Sequence, residues 1–363
     1  MRKLLFAVTT DLNHDQRMQR ICGSLARHGY AVELVGREKP GSGPLQPQPY
    51  RQHRLKCRFH TGKLFYLEYM FRLYRHIARG RYDAFCAIDL DTALPVYMAA
   101  KRAGRPFIYD AHEYFPEVIE VTDRPLVKWV WTAVEQFIVT RTHHVYTVTQ
   151  SIADIFERKY NRRFEVIRNM PLLEVQGPAA CRAPRTILYQ GAANAGRGLE
   201  QLLQAMVGLD AQLVLCGDGD VLPQLKQLAV AIGVAHKVEF RGQVLPHELL
   251  KIARQCTVGV MLLENKGLSY YYSLANKFFD YIHAGLPQVV IDFPEYRKLN
   301  ALYQVGLLTE LTVTEIQHKI ALLLSDKEVY QELARNCEAA KKTLNWQQEE
   351  AKLLNFYDQL WQQ

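Results

Sequence analysis

The segment between residues 273 and 287 holds the polar side chains whose spacing is most informative about chemistry. It reads SLANKFFDYIHAGLP. Serine is a favourable N-cap residue, so we expect Ser273 to start a helix with Asn276 and Lys277 in its first turn. Lys277 and Asp280 are three residues apart and share a helix face. Lys277 is suited to a diphosphate at the positive helix end and Asp280 to a ribose diol, whereas the alternative is an exposed ion pair.

A glycine-rich loop lies between a strand pattern and a helix pattern at residues 189–203, YQGAANAGRGLEQLL. Gly191, Gly196 and Gly198 allow a ligand to approach the backbone closely, and Arg197 adds a positive charge where the helix begins. The spacing is neither that of a P-loop nor that of the dinucleotide fingerprint. The loop is therefore a candidate phosphate site, with an ordinary strand–turn–helix connection as the alternative.

Two further strand ends in this half carry candidate ligand contacts. Gly217 and Gly219 follow a strand in LCGDGD, residues 215–220, and Arg241 lies at the end of the next strand. Backbone groups at such positions can hold a nucleotide base, although plain turns explain each of them equally well.

The first half has its own polar cluster behind two strand patterns. The candidates are Asp89, Asp91, Asp110, His112 and Glu113. A histidine titrates near neutral pH, so His112 can exchange protons or hydrogen-bond a sugar hydroxyl, or it makes only a structural hydrogen bond. Asp91 has the alternative role of capping the next helix.

Strand and helix patterns alternate along the whole chain. In the first half, strand patterns occupy 3–9, 31–36, 84–88, 106–109 and 145–148, and helix patterns occupy 17–28, 64–79, 92–102 and 126–141, with a loop at 41–52. The second half repeats the alternation, with strands at 186–189, 212–216, 238–241, 258–263 and 288–291, and helices at 198–206, 221–232, 246–255 and 275–283. Three helices end the chain, at 313–324, 327–343 and 346–360.

This order predicts an α/β protein with two doubly wound, Rossmann-like domains facing across a cleft, followed by C-terminal helices. We expect a first domain at 1–172, a linker at 173–184, a second domain at 185–344 and a last helix at 345–363. A chain of 363 residues suits two domains rather than one. Ligands of such sheets bind outside the carboxyl ends of the strands, where the polar residues above lie.

The charge is distributed unevenly between the two halves. The chain has a net charge of +8, yet residues 1–170 alone carry +10. Residues 51–81 hold nine basic residues against the single acid Glu68, interleaved with aromatic residues such as Phe65 and Tyr69. This composition suits an anionic membrane surface. The alternatives are a helix whose aromatic face packs inward, favoured by the helical spacing of Phe65 and Tyr69, and nucleic acid, which we do not expect as a partner.

Several classes of protein are excluded by composition. Seven cysteines without a C-x-x-C pair argue against a disulfide framework or a cysteine zinc cage. The apolar run after Met1 is too short for a signal peptide, and no run approaches the length of a membrane-spanning helix. We therefore expect a cytoplasmic protein, with peripheral association at the inner face of the cytoplasmic membrane.

Taken together, these motifs resemble the retaining glycosyltransferases of the GT-B fold, specifically glycosyltransferase family four. The resemblance covers essentially the whole chain and is carried by D-A-H-E, the glycine-rich loop with its Arg-Gly, L-C-G-D-G, V-E-F-R-G and S-L-A-N-K-F-F-D-Y-I-H-A-G-L-P. It implies transfer of a sugar from a nucleotide-diphosphate donor to an acceptor such as a glycan or lipid-linked glycan. It also implies retention of anomeric configuration, no metal ion and no cofactor beyond the donor substrate.

The resemblance places His112 near the reacting sugar, Arg197 in the phosphate loop and Asp280 as the donor-site carboxylate. Lys277 joins His112 and Arg197 as a candidate at the reaction centre because of its own charge and its place in the first helical turn, and the remaining candidates likewise come from their positions at strand ends and helix starts. The donor-binding residues are Gly191, Gly217, Arg241, Asn276 and Asp280. Arg17, Asp89, Asp91, Asp110 and Glu113 are candidates on the acceptor side, and for Arg17 a plain surface role is the alternative.

The sequence departs from the family pattern at two donor-site positions. Tyr272 stands where the family often has Glu, eight residues before the donor carboxylate, and Ala192 stands where an Arg often follows the first glycine of the loop. Lys277 supplies a positive charge in place of that arginine. Other functions on the same two-domain plan are a nucleotide-sugar epimerase, a phosphorylase and a non-catalytic nucleotide-sugar-binding protein.

Overall fold

The computed structural model describes residues 1–174 and 183–362, apart from the side chains of Glu120, Pro246 and His247. Most of the expected linker, 173–184, therefore lies outside the described residues. The chain forms two compact units. Unit one consists of Met1–Asn169 and Gln348–Gln363, and unit two consists of Met170–Gln347.

Unit one is built on a parallel sheet of seven strands. The strands are β1 (Lys3–Ala7), β2 (Ala31–Arg37), β3 (Arg51–Leu55), β4 (Ala84–Ile88), β5 (Phe107–Ala111), β6 (His144–Thr147) and β7 (Glu165–Val166), in the order β3-β2-β1-β4-β5-β6-β7. The end of the expected loop 41–52 is wrong, because β3 begins at Arg51. This edge strand reads RQHRL and is partly exposed, so it lacks the apolar run that marks the central strands.

Helices connect the strands of unit one and cover its sheet. They are α1 (Gln16–Arg27), α2 (Gly62–Ile77), α3 (Leu90–Ala103), α4 (Ile119–Thr122), α5 (Pro125–Val139) and α6 (Gln150–Tyr160). Strands β4 and β5 are buried along their whole length, as expected of central parallel strands covered on both faces. In α2 the buried residues are Phe65, Tyr69, Leu73 and Ile77, so the aromatic face of residues 51–81 does pack inward.

Unit two has a parallel sheet of six strands. These are β8 (Thr186–Gln190), β9 (Gln212–Cys216), β10 (Val238–Gly242), β11 (Val258–Met261), β12 (Gln288–Ile291) and β13 (Gly306–Thr309), in the order β10-β9-β8-β11-β12-β13. Its helices are α7 (Leu199–Ala205), α8 (Leu222–Ala231), α9 (Pro246–Gln255), α10 (Leu268–Tyr271), α11 (Asn276–His283), α12 (Pro294–Tyr303), α13 (Val313–Ser325) and α14 (Lys327–Ala340).

The last helix, α15 (Trp346–Gln359), lies almost entirely in unit one. Tyr357 is fully buried there, with its ring 5.9 Å from that of Phe6 on β1. Asp358 accepts a hydrogen bond of 2.8 Å from the hydroxyl of Tyr30. These contacts attach the end of the chain to the first sheet by packing and by polar side chains.

Both sheets are doubly wound, so the strand order reverses between β1 and β4 in unit one and between β8 and β11 in unit two. Loops diverge at such a switch point and leave a crevice at the carboxyl ends of the strands. In unit two the side chain of Tyr281 on α11 connects the two strands at the switch point through hydrogen bonds. Its hydroxyl accepts from the backbone N–H of Gln190 at 3.2 Å and faces the carbonyls of Leu188 and Val260 at 3.2 and 3.3 Å.

Candidate active site

A cavity of about 450 Å³ opens at the carboxyl ends of β8 and β9 in unit two. Its lining residues are Gly191, Ala192, Cys216, Gly217, Asp218, Gly219, Gln243, Val244 and Leu249. Of the glycines predicted to approach a ligand, Gly191, Gly217 and Gly219 lie together on one wall, whereas Gly196 and Gly198 do not line the cavity. Gln243, Val244 and Leu249 lie outside the predicted motifs, because nothing in their type or spacing marks them as ligand contacts.

Close backbone packing explains two of the glycines in this wall. A Cβ on Gly217 would overlap the carbonyl group of Gly191, so the two loops touch through backbone atoms alone. Gly191 has φ +123°, and a Cβ there would lie 3.2 Å from Nζ of Lys277. A side chain at either position would push the loops apart or occupy the space beside the lysine.

Lys277 lies beside Gly191 in the first turn of α11. Its side chain is buried, its Nζ is 3.8 Å from the ring centroid of Tyr189, and that Nζ has no hydrogen-bond partner among the described residues. Desolvation by burial and the positive charge of Arg197 hold the pKa of Lys277 well below its ordinary value, although Asp280 opposes the shift. An anion bound next to this buried amine would stabilise its protonated form.

The start of α11 differs from the expectation in one respect. Its N-cap residue is Ala275, and no side chain caps the helix. The prediction that Ser273 caps it is wrong, because the Ser273 hydroxyl donates instead to the carbonyl of Tyr270 at 2.8 Å. Asn276 is exposed at the first helical position and Lys277 follows it, so both still lie in the first turn.

Arg197 precedes α7 in the glycine-rich loop and provides the second cation. Its guanidinium lies over the ring of Tyr270, 4.8 Å from the centroid, and its Nε is buried without a hydrogen-bond partner among the described residues. It is close enough to Lys277 to lower the pKa of that amine. Two cationic side chains held close together are typical of a site that binds a polyanion.

Asp280 lies one turn after Lys277 and has an amide partner. The side-chain amide of Gln190 donates to Oδ2 of Asp280 at 2.7 Å, while Oε1 of Gln190 is buried without a partner among the described residues. Gln190 was not predicted as a site residue. Its signal was a polar residue at the end of a buried strand, directly before the first glycine of the loop.

Arg241 lies farther out, on the edge strand β10. Its guanidinium pairs with Glu239 two residues earlier, with Nε 2.8 Å from Oε1. Arg241 is absent from the residues that line the cavity, whereas Gln243 shortly after it is among them.

Unit one brings its polar cluster together at its own switch point. Asp89 follows β4 with φ 57°, a left-handed conformation that is uncommon for a residue with a side chain. Its Oδ1 accepts from the backbone N–H groups of His112 and Glu113 at 2.8 and 3.0 Å. Asp89 thereby fixes the backbone of the loop that carries His112, which is 40% exposed, while Glu113 is exposed.

Desolvation is the largest cause of the shifted pKa values in this cluster. Although the His112 side chain is 40% exposed, desolvation of its ring and the positive charge of Arg17 lower its pKa, so the imidazole is neutral near pH 7. Desolvation raises the pKa of Asp91 to about 6, against the hydrogen bond that Thr9 donates to it at 2.5 Å. The N-cap residue of α3 is Asp89, so Asp91 lies inside the helix and does not cap it.

Arg17 and Asp110 face each other in the interior of unit one. The two side chains are 3% and 0% exposed, and Arg17 Nη2 lies 2.9 Å from Oδ1 and 3.0 Å from Oδ2 of Asp110. Arg17 Nη1 also donates to the carbonyl of Ile167 at 3.1 Å. This pair links α1, β5 and the segment after β7, which makes it a support for the neighbouring loop that carries His112.

No group of three or more His, Cys, Asp or Glu residues in the described part of the chain could hold a metal ion. None of the described helices is long and apolar enough to cross a membrane.

Comparisons with known proteins define the class first. The chain resembles the solved structure of sucrose-phosphate synthase from Thermosynechococcus elongatus, with a TM-score of 0.80 at 17% identity over 99% of both chains. It also resembles the Anabaena protein HepE in complex with UDP-glucose, with a TM-score of 0.78 at 15% identity over 99% of this chain and 100% of the other. At these identities the likeness shows the fold, which is the two-domain GT-B fold predicted from the sequence.

Two family models match most of the chain between them. The model described as "Glycosyl transferase 4-like domain" matches residues 14–171, and the model described as "Glycosyl transferases group 1" matches residues 179–342. A curated relative, the alpha-D-kanosaminyltransferase of Streptomyces kanamyceticus, is 24% identical over 304 residues, which is 76% of each chain. The chain belongs to the group 1 glycosyl transferases, and its function is glycosyl transfer from a nucleotide sugar.

Proposed function

We propose that unit two binds the nucleotide diphosphate of the donor at Gly191, Arg197 and Lys277, and that transfer proceeds with retention of anomeric configuration and without a metal ion. The observation that supports this most directly is the buried Nζ of Lys277, which has no hydrogen-bond partner among the described residues and lies beside a second cation. A donor diphosphate would supply the missing negative charge. A neighbour of the same fold was solved with UDP-glucose, which supports a donor of this chemical class.

These cations would also do the chemistry that a metal ion performs in other transferases. Negative charge grows on the leaving diphosphate as the glycosidic bond breaks, so fixed positive groups stabilise the transition state more than the ground state. Each such contact contributes on the order of 2.7–4 kcal/mol by analogy with oxyanion donors. The uncapped start of α11 adds its helix dipole at the same place.

Three further residues complete the proposed donor site. Asp280, oriented by its hydrogen bond with Gln190, accepts hydrogen bonds from the ribose hydroxyls. Asn276 is exposed beside Lys277 at the start of the same helix. Gly217 keeps the neighbouring loop close enough for backbone contacts to the nucleotide.

In unit one, His112 is proposed to hydrogen-bond the transferred sugar as a neutral imidazole. Its lowered pKa removes it as a cation near pH 7, and its loop is held by Asp89. The leaving phosphate is then the group that takes the proton of the attacking hydroxyl. Asp91 and Glu113 remain the candidates for contact with the acceptor, whereas Asp110 and Arg17 act by supporting the loop.

The acceptor is proposed to be a glycan or a lipid-linked glycan. The basic residues of 51–81 would hold unit one against an anionic membrane surface at the inner face of the cytoplasmic membrane. Leu64, Leu67 and Phe71 support this contact, because they are 56%, 65% and 60% exposed on the outer face of α2.

The proposal is tested in two stages. A thermal-shift screen with UDP-, GDP- and ADP-sugars identifies the donor, because a ligand of the native state raises the melting temperature. Transfer by Lys277→Ala, Arg197→Ala and His112→Ala is then measured, and we expect each to lose at least two orders of magnitude. The matched controls Lys327→Ala, Arg335→Ala and His318→Ala remove exposed side chains of the same types and should keep full activity.

Two measurements address the stereochemistry and the metal. NMR of the product reports whether the anomeric configuration of the donor is retained. Transfer in the presence of EDTA should equal transfer in its absence. Near-native rates in all three site variants would falsify the proposed site, and an inverted product or loss of activity in EDTA would contradict the corresponding part of the mechanism.

A further inference from the structure

The outer face of α5 carries a stripe of large apolar side chains. Leu126, Trp129, Val130 and Phe137 are 81%, 70%, 48% and 36% exposed, and Ala133 is exposed between them. Their spacing of three and four residues places them on one side of this 15-residue helix. A helix at the surface of a globular domain normally presents polar residues there, so a continuous apolar stripe indicates a contact surface.

The stripe continues across the two neighbouring helices. A shallow apolar groove of about 290 Å³ runs along it, lined by Leu94, Trp129, Val130, Ala133, Val134 and Phe137, so that α3 forms its second side. Trp131 of α5 stacks edge-on against Tyr66 of α2, with ring centroids 5.8 Å apart. The exposed Leu64, Leu67 and Phe71 of α2 therefore belong to the same helical layer.

Basic residues surround the far end of this layer. All three helices connect parallel strands, so they run in the same direction and their C-terminal ends lie along one edge. The exposed basic residues at or just beyond these ends are Arg75, Arg79, Arg81, Lys101, Arg102, Arg105 and Arg141. The guanidinium of Arg141 lies over the ring of Phe137, 4.2 Å from its centroid. The apolar stripe and the basic edge therefore adjoin at Phe137.

Negative charge is almost absent from the same layer. Among the described residues of α2, α3 and α5, the acids Asp91 and Glu135 are buried. Glu68 is the remaining one, and Arg72 pairs with it at 2.7 Å. The outer face is therefore apolar along its length and positive at its edge.

We propose that the outer face of α2, α3 and α5 binds an anionic lipid bilayer, with the α5 stripe seated at the boundary between headgroups and acyl chains. This deepens the membrane contact proposed for residues 51–81, on which it rests, by adding α3 and α5 and by making Trp129 the inserted side chain. Tryptophan favours this boundary, and each basic residue near an anionic surface adds to the attraction.

Charge also decides between a bilayer and a second copy of this chain as the occupant. Two copies joined by this face would bring two basic edges together and leave both without counter-charges, which is unfavourable. Lipid phosphates supply negative charge along the whole edge while the acyl boundary accepts the apolar stripe. The chemistry of the face therefore matches anionic phospholipid.

The experiment is vesicle flotation with the full-length protein. Vesicles contain either phosphatidylcholine alone or phosphatidylcholine mixed with phosphatidylglycerol, and we expect binding to the mixed vesicles that weakens as salt is raised. Trp129→Ser with Phe137→Ser should lower the partition coefficient at least tenfold. The matched control is Val230→Ser with Leu302→Ser, which removes side chains that are 69% and 76% exposed in unit two and should change nothing.

A second variant and a spectroscopic measurement test the orientation. Lys101→Gln with Arg105→Gln should weaken binding to anionic vesicles by roughly fivefold for each residue. Brominated lipids should quench tryptophan emission in the wild-type protein, and less so in Trp129→Phe. Either an unchanged partition of the serine variant or equal quenching in the two proteins would overturn the assignment of the stripe.

Two controls separate this inference from its rivals. Analytical ultracentrifugation compares the oligomeric state of the wild-type protein with that of the serine variant. A dimer of the wild-type protein that becomes monomeric in the variant would show that a second copy covers the face, and would refute the bilayer. The nucleotide thermal shift is measured on the same proteins. If the serine variant loses flotation but keeps its nucleotide thermal shift, the proposed bilayer surface is supported. If the wild-type protein floats but shows no thermal shift with any nucleotide sugar, only the donor site is contradicted.

Discussion

Replacing Lys277 by Met should stabilise the ligand-free protein and at the same time remove most of its activity. The Nζ of Lys277 is buried, has no hydrogen-bond partner among the described residues and lies close to the positive Arg197. Methionine retains a flexible apolar stem that can pack against the Tyr189 ring. The variant therefore removes the charge and largely keeps the packing.

The two effects differ in size and sign. An unsatisfied buried polar group costs about 1–3 kcal/mol, and loss of the cation–π contact with Tyr189 offsets about 0.5–2 kcal/mol of the gain. We expect a net stabilisation of about 1 kcal/mol, which corresponds to a rise of roughly 2–4 °C in melting temperature for a unit of this size. Loss of one cation from the leaving group should lower kcat by about 10²–10³.

The stabilisation should also depend on pH. The pKa of Lys277 lies well below its ordinary value, so in the window between the two the unfolded chain binds a proton that the folded protein does not. Folding stability of the wild-type protein therefore rises with pH through this window and falls as pH decreases. Lys277→Met lacks this contribution, so its advantage in melting temperature should shrink between pH 7 and pH 9.

The assay combines thermal unfolding at the two pH values with steady-state transfer, and Lys251→Met, which changes an exposed lysine on α9, is the control. If Lys277→Met loses stability as well as transfer, the amine has a structural role that the geometry does not reveal. If it keeps near-native transfer while gaining stability, the diphosphate is bound elsewhere.

Three other substitutions probe the surroundings of the two polar clusters. Gly191→Ala should lower donor affinity at least tenfold, because its Cβ would lie 3.2 Å from Lys277 Nζ at a φ of +123°; calorimetry with the donor checks this, and unchanged affinity contradicts it. Gln190→Met should raise KM for the donor severalfold with little change in kcat, because Asp280 loses the amide that orients it; a fall in kcat alone would refute that role. Asp91→Asn should raise the free energy of unfolding by at most about 3 kcal/mol at pH 8 but leave it nearly unchanged at pH 4, because the cost of the buried carboxylate develops between its ordinary pKa and the raised pKa of about 6; equal effects at both pH values in thermal unfolding would contradict this.

The donor-side residues were predictable because local sequence fixes their positions. Gly191 and Arg197 belong to one loop between a strand and a helix, and Lys277 and Asp280 belong to one helix. Strands β8 and β11 are parallel neighbours in the sheet, so their carboxyl ends lie together. The glycine-rich loop that follows β8 therefore lies near the segment that follows β11. The roles of these residues stay predictions until variants are measured.

Partners distant in sequence were not predictable in the same way. Asp110 was a candidate for acceptor contact because it ends a strand, but it lies 93 positions from the arginine that binds it in the interior. Ser273 was expected to cap α11 from residue preference alone, and a competing carbonyl three residues earlier accepts its hydroxyl instead. Both outcomes depend on tertiary contacts that spacing does not reveal.

Several other features were not predicted, because their sequences lack a distinctive pattern. Strands β3 and β7 lie at the edges of the first sheet, with partly exposed sequences that lack an apolar run. The outer stripe of α5 was missed for the opposite reason. Its sequence is apolar on nearly every side, so periodicity alone does not show which residues face the sheet and which face solvent.

Helix α11 explains why a buried and poorly stabilised lysine persists in the second unit. Tyr281 binds the backbone of β8 and β11 through its hydroxyl, and its ring lies where a Cβ on Gly259 would be 2.7 Å away, so the helix has a single orientation on the sheet. Lys277 lies one turn earlier on the same helix, and that orientation holds its Nζ beside Gly191. Because Tyr281 fixes the helix on the sheet, the amine of Lys277 needs no reorganisation to meet the diphosphate of the proposed donor site.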